Sequence, residues 1–387
     1  MSDNVVSKAL LRLACFGAAL AVQGAAVVSA QDITIGVSIA TTGPAAALGV
    51  PQKTTLGFWP EEIAGRKLKV IQLDDGGDPS AATTNARRLV TENNVDVLIG
   101  SSTTPPSMAI NGVATEAGVP HFALAPAVFA GDKAKWSVVV AQPVSLMASQ
   151  IFADMEKRKV KTVGLIGFSD SWGDLWAKSF KDIAEPKGMK LVEDVRYARA
   201  DTSVAGQVLK LVAAQPDAVL VAASGTGAAL PQVALKERGY AGNVYQTHGA
   251  ASNDFLRIAA AAAEGVVLPA GPVLVAELQA DTALTKKPGL AFAAAYEAKN
   301  GPASRNLFGA YIYDVAKVLE RTVPVALKAG QPGTPAFRDA LRAAVETERD
   351  IAGSHGVYNF TAADRNGVDK RAAVLITVKG GKWAVVE

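Results

Sequence analysis

The chain of 387 residues has little of what most catalytic and metal-binding proteins rely on. It has one cysteine, Cys15, and three histidines, His121, His248 and His355. So few soft ligands exclude a zinc module, and one thiol excludes a disulfide framework. Basic and acidic residues number 39 and 36, for a net charge of +3, and no run of five like charges occurs. A nucleic-acid partner is not expected, because such proteins gather their basic residues into a patch. There is no Gly-x-Ser-x-Gly elbow, no His-Glu-x-x-His, and no base–nucleophile pair in the loops, so the protein is not expected to be an enzyme. No cofactor or metal is expected. What is abundant is apolar: 49% of residues, against 19% charged. That excludes a disordered chain and supports two or three domains with ample cores.

One stretch, Leu13 to Val28, is uncharged and almost wholly apolar; it stands behind Lys8 and Arg12 and ahead of Val28-Ser29-Ala30. A basic start, an apolar stretch and small residues before a junction describe an export signal, with cleavage expected near Ala30 and periplasmic residence. A membrane anchor would need a longer and less Ala/Gly-rich run. A lipoprotein reading would use Cys15, but the apolar run continues well past it. Cleavage would leave 37 basic and 35 acidic residues and no cysteine at all. An oxidising compartment suits such a chain.

From Ile33 onward the chain alternates strand and helix. Apolar strands are read at 33–39, 68–73, 95–99 and 119–124. Helices are read at 46–63, from Asp78-Pro79 to about 93, and at 106–117. After Pro143 the rhythm restarts. Strands are read at 161–168, 191–195, 217–222 and 243–247, with helices at 172–186, 203–214 and 226–239. Such alternation means parallel sheets covered by helices, in two α/β lobes. Helices at 289–299, 305–329 and 335–347 follow without strands. A hairpin then closes the chain around Gly380-Gly381. Helices alone cannot form a third α/β lobe, so they must complete the first two. The chain is therefore expected to cross between lobes near 143–145, 269–275 and 352–357. The expected lobes are 32–144 with 273–352, and 145–272 with 353–387.

Ligands of open α/β sheets bind outside the carboxyl ends of the strands. The loops there run Thr41–Gly49, Gly100–Pro106, Ala125–Ala127, Ser169–Gly173, Ala223–Gly227 and Thr247–Ala250. They are small, hydroxyl-bearing and nearly uncharged. Backbone amides at helix starts, with Ser and Thr hydroxyls, form an anion site without a fixed positive charge. Leu48 and Trp172 would add flat apolar walls. The implied ligand is small, partly apolar and carries one carboxylate.

The ordered set Ile35-Gly36-Val37, Thr42-Gly43-Pro44, Leu73-Asp74-Asp75 through Asp78-Pro79 with Asn85 and Arg88, Val97–Ser101, Gly118-Val119-Pro120 and Trp172-Gly173 resembles the extracytoplasmic solute-binding proteins of ABC uptake systems, of the Leu/Ile/Val-binding type. The resemblance covers essentially all of 32–387. It implies two Rossmann-like lobes joined by a three-stranded hinge, closure on a small-molecule ligand, a membrane permease as partner, and a monomer. It also places the ligand contacts. Thr104, with Thr103 beside it, falls where a hydroxyl holds the carboxylate. Ala125 and Ala127 fall where the family has an alanine and a threonine. Trp172 is the aromatic residue that closes over the ligand, and Phe308 is the first-lobe aromatic. Ser224 replaces a tyrosine. His248 replaces the acid that neutralises the ligand's ammonium. An ammonium buried without that partner is costly, whereas histidine can donate to an oxygen. The loop Tyr245-Gln246-Thr247-His248-Gly249, with Asn253-Asp254-Phe255 and Leu268-Pro269-Ala270-Gly271-Pro272, resembles a subgroup linked to aromatic acids, so a benzoate-like or other non-amino carboxylate is favoured over leucine. A binder of branched-chain or other amino acids in the same kind of system, and a periplasmic ligand sensor, are the alternatives. His121 and His355 are read as structural, and Asp74, Asp75 and Asp78 as strand-end and cap residues.

Overall fold

The computed structural model of the protein describes residues 31–386. The export-signal reading and Cys15 lie outside them. The first sheet contains β1 (Ile33–Ile39), β2 (Glu62–Ile63), β3 (Arg66–Asp74), β4 (Val97–Gly100), β5 (His121–Ala123) and β6 (Ser137–Val139), in the order β2-β3-β1-β4-β5-β6. All its pairings are parallel except β2 with β3. The second sheet contains β7 (Thr162–Phe168), β8 (Lys190–Tyr197), β9 (Ala218–Ala222), β10 (Asn243–Gln246) and β11 (Val267–Ala270). The antiparallel hairpin β14 (Val374–Lys379) and β15 (Lys382–Val385) completes it. Its order is β15-β14-β11-β10-β9-β7-β8. A separate two-stranded ladder pairs β12 (Ile351–Ala352) with β13 (Val357–Tyr358).

The sequence explains the central elements. β1 lies between β3 and β4 and carries Ile33, Ile35, Val37 and Ile39, all fully buried, as a strand covered on both faces requires. Helix α1 (Ala46–Leu56) follows it. Asp78 caps α2 (Pro79–Thr91), accepting from the Ala81 amide at 2.7 Å with Pro79 at the first helical position. Helix α3 (Thr104–Ala117) ends at Gly118 in the left-handed conformation. On the second sheet lie α4 (Val144–Lys157), α5 (Ser171–Ser179), α6 (Ala205–Ala213), α7 (Ala229–Glu237) and α8 (Asn253–Ala259). Three helices follow: α9 (Lys286–Asn300), α10 (Leu307–Ala326) and α11 (Pro335–Thr347). Helix α10 packs on α1 and α11, so it belongs beside the first sheet.

Several boundaries differ from the sequence reading. The helix expected over 46–63 stops at Leu56, because Pro60 cannot donate within a helix. The chain then turns through Ala64 and Gly65, both at positive φ, into the β2–β3 hairpin. Helices α4 and α8 and strands β2, β6, β11, β12 and β13 have no counterpart in the sequence reading. β11 contains Pro269 and is followed by Gly271 and Pro272, which signal a turn locally, yet it is bonded to β14. The helix expected over 172–186 loosens at Phe180 into one wider turn and ends before Gly188.

Three connectors run side by side between the sheets. Gln142 of the first donates to the Ala372 carbonyl at 2.8 Å and lies 3.4 Å from His355 Nδ1 of the third. Gly271 of the second passes so close that a Cβ there would fall 1.9 Å from His355 Nδ1. Asp314 of α10 accepts from the Ser354 amide (2.6 Å) and hydroxyl (2.7 Å), the His355 amide (3.0 Å) and the Tyr358 hydroxyl (2.8 Å). Burial raises its carboxyl to about 6. Tyr311 donates to Gln142 Oε1, and its ring lies tilted against His355 with centroids 4.3 Å apart. His121 is likewise a core residue: Nδ1 meets the Ser137 hydroxyl at 2.8 Å and Nε2 the Gly100 carbonyl at 2.6 Å.

Candidate functional site

In both sheets the strand order reverses beside the first strand of the set: β3 and β4 flank β1, and β8 and β9 flank β7. The carboxyl-terminal loops at such a point form a crevice. Here the two crevices face each other and share one small cleft. Leu48 from α1, Ser102, Thr103 and Thr104 at the start of α3, Leu124, Ala125 and Pro126 after β5, and Phe308 from α10 form one wall. Trp172 at the start of α5, Arg199 after β8, Ser224 after β9, and His248 and Gly249 after β10 form the other.

Every residue expected at the site lines this cleft except Ala127. It lies one residue past the Leu124–Pro126 wall and packs into the hydrophobic core instead. Two further differences concern chemistry. The Thr104 hydroxyl, expected to hold a carboxylate, donates to the Pro126 carbonyl at 2.8 Å. Arg199 brings a fixed positive charge to a site read as having none. It stands in the loop after β8, at the carboxyl end of a parallel strand like the other cleft loops.

The hydroxyls of the first wall are mostly committed. Ser101 and Ser38 both donate to buried Asp75 at 2.8 Å, which fixes the β4–α3 loop from beneath. Ser102 donates to Gln52 Oε1 at 2.6 Å and accepts from the Ala40 amide at 3.0 Å. Thr103 differs: its hydroxyl is buried and has no partner. Asn306 holds Phe308 in place by capping α10, accepting from the Phe308 amide at 2.8 Å and the Gly309 amide at 3.3 Å.

On the second wall Asp170 organises two contacts. Its Oδ1 accepts from the Trp172 amide at 2.9 Å, which caps α5, and its Oδ2 accepts from Arg199 Nε at 2.6 Å. Arg199 Nη1 donates to the Ser224 hydroxyl at 3.1 Å, and the guanidinium lies 4.2 Å over the Phe168 ring. The Trp172 indole donates weakly to the Ala223 carbonyl at 3.4 Å. His248 stands between Trp172 (5.4 Å) and Phe308 (6.2 Å), one from each wall. Burial pushes its imidazole down to about 3, so the ring is neutral at pH 7, and its buried Nδ1 has no partner. No carboxylate lines the cleft among the described residues. Asp74 and Asp78 serve their strand end and helix cap, as read. Asp74 accepts from the Thr41 amide (2.8 Å) and the Thr42 hydroxyl (2.6 Å).

Known proteins share this architecture. Residues 32–382 match the family described as periplasmic binding protein. A Leu/Ile/Val-binding protein homolog 7 of Brucella abortus is 27% identical, over 94% of this chain and 92% of its own length. An extracellular ligand-binding receptor from Rhodopseudomonas palustris is 59% identical and superposes with a TM-score of 0.92, covering 92% of this chain and 100% of its own. An ABC-transporter solute-binding protein from R. palustris, solved with benzoate, has a TM-score of 0.74 at 18% identity, covering 92% and 95% of the two chains. At that identity it speaks for the fold alone. The match along 32–382, on two facing parallel sheets, makes this chain a member of the periplasmic binding protein family.

Proposed function

We propose that the protein is the periplasmic solute-binding component of an ABC importer. It captures a small carboxylate, aromatic and benzoate-like, between two lobes that close on it and then dock on a membrane permease. The lobes, 32–144 with 273–352 and 145–272 with 353–387, turn about the three connectors. The observation that carries the ligand class is the lining of the cleft. It offers donors to an acid (Thr103, Arg199 and a neutral His248) and no carboxylate to an ammonium. Leu48, Trp172 and Phe308 supply flat apolar walls for a ring. A branched-chain amino acid is the second reading, favoured by the Leu/Ile/Val-binding relative.

A thermal-shift comparison of benzoate with leucine and valine tests the proposal. A ligand at about 100 times its dissociation constant stabilises by roughly 2.7 kcal/mol. The melting temperature should rise with benzoate. A rise with leucine or valine alone would sink the aromatic reading.

A further inference from the structure

The donors that face the cleft are unevenly divided between its walls. At the start of α3 the Thr104 hydroxyl is bonded to Pro126, and the Ser101 and Ser102 hydroxyls to Asp75 and Gln52. Pro105 and Pro106, the second and third residues of that helix, have no N–H to offer. Of the hydroxyls there only that of Thr103 remains without a partner, among Leu48, Leu124, Ala125 and Phe308. The opposite wall holds a guanidinium. Two of its five N–H donors are engaged, one by Asp170 and one by Ser224; the other three have no partner among the described residues.

We propose that Arg199, rather than the start of α3, holds the ligand's carboxylate, so that the acid group lies in the second lobe and the apolar body against the first. This rests on the carboxylate reading above. Three free donors suffice for two parallel bonds to one carboxylate, the geometry in which arginine is strongest. The ion pair with Asp170 and the stack on Phe168 hold the fork in one orientation before the ligand arrives, which lowers the ordering cost of binding. Asp170 does not use up the arginine, since the guanidinium bridges two carboxylates through different N–H groups. The Thr103 hydroxyl then meets the ligand's remaining polar edge.

Acids paired with their primary amides read the charge alone: benzoate with benzamide, and leucine with leucinamide, by titration calorimetry. For whichever acid binds the wild type, R199Q should lower its affinity at least tenfold while the amide changes less than threefold. R199K keeps the charge without the fork and should fall between. T103V should weaken acid and amide alike and leave their ratio intact. A ratio that survives R199Q, or collapses in T103V, overturns the assignment. Should R199Q fail to fold by circular dichroism, R199K decides: a wild-type ratio there overturns it too. A wild type that binds only leucine overturns the aromatic class and leaves Arg199 to be judged on leucine and leucinamide. A wild type that binds neither acid overturns the carboxylate reading and this one with it.

Discussion

Thr103 and Thr104 are neighbours with the same side chain, yet the structure separates their roles. The Thr104 hydroxyl closes a bond to Pro126, and the Thr103 hydroxyl is buried with nothing to bond. A buried hydroxyl without a partner carries a desolvation penalty that a ligand oxygen would relieve. Thr103→Val keeps the shape and removes that hydroxyl. The unliganded protein should be as stable as wild type or slightly more so, while ligand affinity falls by roughly 0.5–1.5 kcal/mol, the usual worth of one hydrogen bond. Melting and calorimetry on the same variant check the two signs; a variant that loses apo stability would show the hydroxyl to be structural. Which of the two hydroxyls was free could not be read from residue types. It depends on where the Pro126 carbonyl, 22 residues away, comes to rest.

The loops that reach across the cleft belong to the scale of elements. Gly225 opens the turn after β9 at φ +60°, and a Cβ there would lie 3.0 Å from Leu48 Cδ1 on the opposite wall and 3.2 Å from the carbonyl of Pro44, just ahead of α1. Gly225→Ala should therefore obstruct closure. A reduction of at least tenfold in affinity is expected, with a melting point lowered by only a few degrees, because the left-handed conformation costs alanine about 1 kcal/mol. Equal affinity would show that the turn does not limit closure. Elements with strong local signals were legible. Thr334-Pro335 starts α11, with the Thr334 hydroxyl accepting from the Phe337 amide at 3.3 Å, and Phe337, Leu341 and Val345 form its buried face. Elements whose identity depends on a neighbour were not. β11 becomes a strand because β14, more than a hundred residues later, pairs with it. Its prolines argue locally for a turn.

At the scale of the whole molecule the histidines set the response to acid. Burial pushes His121 down to about 4, and His248 and His355 down to about 3, from an ordinary value of 6.5. A depressed folded-state value means that the unfolded chain binds the proton first, so stability is lost as pH falls below about 6.5. Each such group contributes a slope of about 1.4 kcal/mol per pH unit once the unfolded chain is protonated. Asp314 acts with the opposite sign. Its carboxyl is raised to about 6, so the stability linked to it is full below about 4 and fades as pH rises through 6. Burial raises the Asp75 and Asp96 carboxyls in the same direction; between pH 7.5 and 6 the three histidines are expected to outweigh these aspartates. The melting temperature should fall over that interval, with His121 buried in the first sheet and His355 among the connectors as contributors besides the cleft. A melting temperature that rose on acidification would contradict this balance.

Composition and period determined the class of fold: alternating strands and helices twice over, then helices without strands, require two lobes that the chain visits more than once. The rule that ligands lie beyond the carboxyl ends of parallel strands also determined which loops matter, so Leu48, Trp172, Ser224 and His248 were legible in the sequence, while Phe308, on a helix, was implied by the family resemblance alone. Tertiary structure decided what those loops can do. It consumed the Thr104 hydroxyl and turned Ala127 into the core. It carried Arg199 into a cleft whose sequence loops looked uncharged, and tied its guanidinium to Asp170, 29 residues away in the chain. The physical reason is that residue type states which bonds a side chain can make, while only packing states which of them are already made.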